Sequence, residues 1–358
     1  MSYQVTVIGG DGIGPEIVTE AQRVLTKVLQ KVGKTVKFTS CLAGGAAIDA
    51  VEHPLPAVTV TAAQQSDAVL LGAVGGPKWD HMPAGLRAEQ AILGLRQALK
   101  LYANLRPVRV PAFLAERSPL KAEYVTGVDI LIVRELSGGI YYGERQEGCI
   151  IDGIEQAFDK ESYSVPEIER IVRFAFQAAK LRRSQVTSVD KANVLATSRL
   201  WRRTVEHLAA GEPTIQLKHL YVDNCAMQLI LAPRQFDVIV TNNLFGDILS
   251  DEAAVIAGSI GMLPSASIGS GTGLYEPIHG SAPDIAGKGL ANPLGTILSA
   301  ALLLRYSLQE EAAARLIETA VDQVLADGYR TVDLYQEGLT KVSTGKMGQL
   351  VERQLEKL

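Results

Sequence analysis

Short runs of β-branched and aliphatic residues alternate along the chain with longer stretches whose apolar positions recur at helical spacing. Gln4–Ile8, Ala68–Ala73, Val128–Val133, Val186–Asp190 and Val238–Thr241 read as strands. Between them, Pro15–Val32 places Ile17, Ala21, Val24, Leu25 and Leu29 on one helical stripe, and Ile168–Leu181 and Arg199–Leu208 follow the same rule. Such alternation predicts an α/β architecture with a largely parallel central sheet, in which ligands gather at the C-terminal ends of strands. One segment departs from it. Tyr141–Ser164 has glycine at 143, 148 and 153 and no helical stripe, and reads as an extended ribbon or a long loop. An isolated two-stranded ribbon is marginally stable, so this one is expected to pair with a second subunit.

Composition narrows the class of protein. At 358 residues, two lobes are a better expectation than one core. A net charge of -4 supplies no field that would draw nucleic acid or an acidic membrane surface. The densest basic pairs, Arg182-Arg183 and Arg202-Arg203, fall on polar helix faces. Cys41, Cys149 and Cys225 have no CxxC spacing, which fits a reducing compartment rather than a disulfide framework. The histidines (His53, His81, His207, His219 and His279) lack ligand spacing for zinc. The first residues carry no basic, then apolar, leader. The longest nearly unbroken apolar run, Ile297 to Leu304, falls well short of the roughly 20 residues of a membrane helix. A soluble, cytoplasmic protein is expected.

The turn Gly9-Gly10-Asp11-Gly12-Ile13-Gly14-Pro15-Glu16 links the first strand to the first helix. It is not a Rossmann fingerprint, because G-x-G-x-x-G requires glycine where Pro15 stands. Two readings are open: a tight strand-to-helix turn, or a loop bordering a cofactor by another geometry. Asp247 and Asp251 lie four apart, so a helix projects both carboxylates from one face. A cation between them would turn their repulsion into binding, and all-oxygen ligands suit Mg²⁺ or Mn²⁺. Alternatively, Asp247 caps the helix and Asp251 faces water. Asp223 follows another strand-like stretch, with a helix-cap reading of its own. Arg96 and Arg106 bracket a short helix and its exit, and Arg134 follows the apolar strand Val128–Val133. An arginine so placed can grip a ligand carboxylate bidentately or serve packing. Tyr141 closes a glycine-rich turn and could donate a proton, given a neighbour that lowers its pKa. Lys191, at the end of Val186–Asp190, is the candidate neighbour.

Taken together, GDGIGPE, NLRP, RELSGGIYYG, VDKANVL, YVDNCAMQLI, NNLFGDILSDEAA, GMLPSAS, EPIHGSAPDIAGKGLANP and ILSAALLLRYS resemble, in order, the motifs of the β-decarboxylating dehydrogenases. That isocitrate/isopropylmalate family also includes homoisocitrate and tartrate/D-malate enzymes. The resemblance runs from residue 10 to residue 307. It implies a two-lobed α/β fold with a mixed, largely parallel central sheet, not a Rossmann fold. It places a cofactor lobe at 1–102 plus 258–358, and a substrate, metal and dimerisation lobe at 103–257 with an arm-like ribbon at about 141–164. Gly75–Asp80 and Ile92–Arg96 look like the 3-isopropylmalate branch, whose Glu89, Ile92 and Leu93 would meet the substrate's γ-substituent. Two aliphatic side chains suit an isopropyl group and would leave a carboxylate unpaired.

Carried over residue by residue, the resemblance implies that Arg96, Arg106 and Arg134 hold substrate carboxylates. Asp223, Asp247 and Asp251 would hold Mg²⁺ or Mn²⁺, with Asp223 also against the substrate. Lys191 would take the hydroxyl proton, and Tyr141 would protonate the enol after CO₂ leaves. Lys191 and Asp223 would come from the neighbouring subunit of a homodimer. Glu276–Asn292 resembles the family's NAD⁺ loop, with His279, Gly280, Ser281, Ala282, Pro283, Ile285 and Asn292 around the cofactor. Asp284 would accept from the ribose hydroxyls and repel a 2′-phosphate, favouring NAD⁺ over NADP⁺. The activity implied is NAD-dependent oxidative decarboxylation of 3-isopropylmalate in leucine biosynthesis. The alternatives are a D-malate or tartrate enzyme and, from another class, a metal-dependent phosphoryl-transfer enzyme, which the absence of a P-loop disfavours. Ala196-Thr197 replaces an acidic residue usual in VDKANVL motifs, Ser137 stands where Thr is usual, and the ribbon departs most.

Overall fold

The computed structural model describes residues 2–358. In chain order its principal strands are β1 (Ser2–Gly10), β2 (Thr35–Ser40), β3 (Ala68–Ala73), β4 (Leu101–Val110), β5 (Val128–Glu135), β6 (Arg145–Ile151), β7 (Ile154–Asp159), β8 (Gln185–Asp190), β9 (Gln216–Tyr221), β10 (Val238–Thr241), β11 (Pro264–Gly269) and β12 (Gly273–Pro277). The chain divides into two units, Met1–Leu101 with Ala257–Leu358, and Tyr102–Ile256.

In the first unit the strand order is β2-β1-β3-β12-β11. β1 pairs parallel with β2 and β3, and β12 parallel with β3, whereas β11 and β12 are antiparallel. β3 is buried at every position, which is why Ala68–Ala73 reads as an unbroken apolar run. The Gly14–Lys31 helix buries the stripe Ile17, Val18, Ala21, Val24, Leu25, Val28 and Leu29. The Leu294–Tyr306 helix packs against it and is buried nearly all round, which accounts for the apolar run Ile297–Leu304. Among the described residues no helix is long and apolar enough to cross a membrane.

In the second unit the order is β4-β5-β10-β8-β9. β5, β10, β8 and β9 run parallel, and β4 is antiparallel to β5. The mixed, largely parallel α/β character expected from the sequence is present in both units. Several strands lie outside the runs read from the sequence, β4 among them. Arg106 therefore stands within a strand, opposite Ile132, and not at a helix exit. Likewise β5 continues through Arg134 to Glu135. The segment 141–164 is the antiparallel ribbon β6–β7, turning at Asp152-Gly153, both at positive φ, with Ile150, Ile151, Ile154 and Phe158 exposed. Its last residue, Ser164, belongs instead to the next helix, Val165–Lys180, which it opens in a capping box with Glu167.

Candidate active site

Three chain segments meet at the C-terminal ends of β5 and β10. β5 runs through the buried apolar stretch Ile130–Val133 and then presents Arg134 at 2% exposure and Glu135 at 0%. β4 lies alongside and supplies Arg106. After β10, Asn242 and Asn243 turn the chain into the Asn243–Ile256 helix, which carries Asp247 and Asp251 one turn apart. Because that helix begins at Asn243, Asp247 lies inside it and cannot cap it.

Asp247 is the centre of the cluster. Arg134 Nη1 reaches Asp247 Oδ1, Arg106 Nη2 lies 3.3 Å from the same oxygen, and the Tyr141 hydroxyl donates to Asp247 Oδ2 at 2.7 Å. Arg106 Nη1 donates to Asp251 Oδ1 at 3.0 Å and to the Ser250 hydroxyl at 2.6 Å, while its Nε donates to Asn104 Oδ1 at 2.9 Å. Two guanidinium groups thus offset two carboxylates, one third-exposed and the other 60% exposed. Partial burial and the charge of Asp247 push the Asp251 carboxyl upward, and Arg106 opposes the shift. Such a cluster can exchange its internal ion pairs for a dianionic ligand and a cation without leaving a buried charge unpaired.

Tyr141 sits in the short turn after β5, its ring 5.3 Å from the Arg134 guanidinium. Burial and the Asp247 carboxylate raise its pKa. Within one chain Asp247, an anion, accepts a hydrogen bond from the phenol and favours its neutral form, while Lys191, the neighbour expected to lower the pKa, pairs with Asp223. Glu135, fully buried, accepts from the backbone N–H groups of Ser137 and Gly138 at 3.0 and 2.8 Å and so holds this turn. Burial raises the Glu135 carboxyl, against the pull of those donors.

Lys191 lies directly after β8, and its Nζ donates to Asp223 Oδ1 at 2.6 Å. Asp223 is in the first turn of the Val222–Leu231 helix, so it is not that helix's cap. The hydrogen bond from Lys191, then the N–H groups of the helix start, hold its carboxyl below the usual range. Behind this pair Arg202 grips the buried Asp190 bidentately, with both contacts at 2.9 Å, and lies 5.0 Å from the Tyr221 ring. Within one chain the acids therefore stand as two pairs, Asp247 with Asp251 and Asp223 with Lys191. Among the described residues no group of three or more His, Cys, Asp or Glu is arranged to hold a metal ion.

The remaining expected residues lie in the first unit. Glu89, Ile92, Leu93 and Arg96 share one stripe at the Gln90–Ala98 helix, with Ile92 and Leu93 half-buried and Glu89 exposed. Arg96 Nη2 pairs with Glu276 Oε1 at 3.1 Å. Beyond Glu276, the Ser281 hydroxyl donates to the Gly75 carbonyl at 2.8 Å, and the Ser281 carbonyl accepts from Ile13 N–H at 2.8 Å. Ala282, Ile285 and Ala286 pack on Ile13, Ile17 and Ala291. The glycine-rich turn and the 276–292 segment are thus one structure. Pro283, Asp284 and Gly280 are exposed, and His279 has a buried Nε2 without a hydrogen-bond partner. Asn292 donates to Asp333 Oδ2 at 3.0 Å.

Asp11, Asn104, Asn243, Ser250 and Asp333 escaped the sequence reading. Asp11 is buried and accepts from Gly45, Ala46 and Gly75 N–H groups at 2.8, 2.7 and 2.8 Å. Asp11 and Asn243 carried one signal, a polar residue at a strand's end or a helix's start, and it marks caps equally well.

The model of the isocitrate/isopropylmalate dehydrogenase family matches residues 4–351. A 3-isopropylmalate dehydrogenase of Moorella thermoacetica is 59% identical over 99% of both chains. One of Acinetobacter baylyi is 56% identical over 98% of this chain and 99% of its own. Among solved structures, isocitrate dehydrogenase from Methylococcus capsulatus is 36% identical, with a TM-score of 0.88 over 99% of both chains. A β-decarboxylating dehydrogenase from Thermococcus kodakarensis is 39% identical, with a TM-score of 0.81 over 99% of this chain and 96% of that one.

Proposed function

The chain belongs to the isocitrate/isopropylmalate dehydrogenase family, and from that premise we propose that it oxidatively decarboxylates 3-isopropylmalate to 2-oxo-4-methylpentanoate. The reaction would use NAD⁺ and a divalent cation, in the cytoplasm, in leucine biosynthesis. The observation that carries the reading is the convergence of Arg106, Arg134 and Tyr141 on the Asp247–Asp251 pair.

Asp247 and Asp251 offer an all-oxygen donor set suited to Mg²⁺ or Mn²⁺, to be completed by Asp223 of a second copy of the chain. The 276–292 segment fits NAD⁺ on one observation in particular, the buried and unpartnered Nε2 of His279. When bound, the dinucleotide supplies the hydride acceptor and the cation supplies Lewis-acid polarisation of the C2 oxygen. Arg106 and Arg134, with Arg96, bind the substrate carboxylates and fix its orientation. Lys191 accepts the proton of the C2 hydroxyl as the C2–H bond gives up its hydride. The 2-oxo group so formed lies β to a carboxylate, so CO₂ departs and leaves an enolate. Tyr141 then transfers its phenolic proton to the carbon that lost CO₂. Ile92 and Leu93 present the aliphatic surface for the isopropyl group.

Exposed apolar side chains support the homodimer on which a shared site depends. Met227, Ile230 and Leu231 on one helix, and Ile248 and Val255 on the helix packed against it, are 40 to 63% exposed.

The test is NADH formation from 3-isopropylmalate with and without EDTA. Turnover that EDTA abolishes and Mg²⁺ or Mn²⁺ restores is expected, with kcat/KM exceeding that for D-malate. A preference for D-malate, or turnover indifferent to EDTA, overturns the assignment.

A further inference from the structure

Asn243 is the first residue of the helix that carries Asp247 and Asp251, and it is 1% exposed. Its side-chain oxygen accepts from Arg134 Nε at 3.0 Å and Nη2 at 2.7 Å. Its amide nitrogen donates to the carbonyls of Leu136 and Gly138, at 3.3 and 3.1 Å. Its backbone N–H donates to the Tyr163 hydroxyl at 3.0 Å, the group with which a Cβ at Gly139 would collide. This arrangement dictates the residue type. Arg134 offers only donors and the two carbonyls only acceptors, so the bridge needs an acceptor and two donors on one short side chain. Asp lacks the donors, Leu lacks both functions, and Gln carries an extra methylene.

We propose that Asn243 is a positioning residue that ties the orientation of Arg134 to the turn carrying Tyr141. One amide then sets both the group that grips the substrate carboxylate and the group that delivers the proton. With Nε and Nη2 of Arg134 engaged by Asn243, its Nη1 is the atom turned toward Asp247. Glu135 holds the same turn from the other side through Ser137 and Gly138 N–H, so the donors and acceptors of residues 136–138 are both anchored. Arg134 also touches Tyr141 directly, its guanidinium 5.3 Å from the ring, and the two share Asp247 as a partner.

The kinetic half of the inference rests on the proposed reaction, and the exchange half does not. Asn243→Asp keeps an acceptor for Arg134 and loses both donors to the turn, whereas Asn243→Ala loses everything. With 3-isopropylmalate, the Asp variant is expected to hold KM within about threefold while kcat falls about tenfold. The Ala variant is expected to raise KM about tenfold as well, the scale of one lost hydrogen bond to a charged group. Equal shifts of KM and kcat in the two variants, or no shift in either, overturn the inference. Hydrogen–deuterium exchange at residues 136–142, read without substrate and well below each variant's Tm, is expected to quicken in both. It is expected to quicken also in Arg134→Lys, which leaves the ties to Leu136 and Gly138 in place and loosens the other end of the bridge. Unchanged exchange in Arg134→Lys overturns the coupling even if the Asn243 variants do not fold. Failure of the wild-type protein to turn over 3-isopropylmalate overturns the proposed reaction alone, and the exchange experiment then decides on Asn243.

Discussion

Tyr141 donates its hydroxyl to Asp247 and is held neutral by burial and by that carboxylate. The sign matters for catalysis. In the single chain burial and the Asp247 carboxylate favour the protonated phenol, the form a proton donor needs. Tyr141→Phe removes the proton and little volume. Its kcat is expected to fall about 100-fold or more, the usual size of a general-acid contribution, while substrate affinity stays within about threefold. Stopped-flow and steady-state NADH measurements check it, and an unchanged kcat removes Tyr141 from the mechanism.

Elements rather than single side chains explain the glycine-rich start. Gly10 and Gly12 adopt φ of 70° and 56°, and a Cβ at Gly12 would run into the Ser281 carbonyl. That carbonyl is also the acceptor for Ile13 N–H, so the β1-to-helix turn and the 276–292 segment are stitched backbone to backbone. Of the two readings open from the sequence, the tight turn is the one the backbone shows, and it is in contact with 276–292. Gly12→Ala combines left-handed strain with a steric clash, together costing about 1–3 kcal/mol. The expected result is a Tm several degrees lower in calorimetry and NAD⁺ binding weakened about tenfold by titration. A stable variant with weakened NAD⁺ binding would separate the two contributions; a variant unaltered in both would contradict the packing described.

At the scale of the whole protein, two apolar sets stand exposed on the Tyr102–Ile256 unit. β6–β7 projects Ile150, Ile151, Ile154 and Phe158, and the Val222–Leu231 and Asn243–Ile256 helices expose a second apolar set. Lys191 and Asp223 stand as a pair, and under the proposed homodimer a second copy of the chain would bring such a pair to Asp247 and Asp251. Leu231→Asp places a charge on the exposed helical face, at the far end of its helix from Asp223. Sedimentation is expected to show a halved mass, and NADH formation is expected to fall in parallel with the dimer fraction. A monomer with full turnover would refute a shared site.

The strand–helix alternation, the family motifs and the identity of the candidate residues were legible in the linear order of residues, because apolar periodicity and short-range spacing are properties of the chain itself. Asp247 and Asp251 shared a face as soon as their helix was granted. What that order could not disclose were the partners reached over long separations. Arg106 finds Asp251 across 145 positions and Arg134 finds Asn243 across 109, because β4, β5 and β10 are neighbours only in the folded sheet. The Asp247 carboxylate that raises the Tyr141 pKa in the single chain was hidden for the same reason: a pKa answers to burial and to the nearest charge, and both are set by packing. Local pattern determined which elements form, and tertiary structure alone decided which charges face one another.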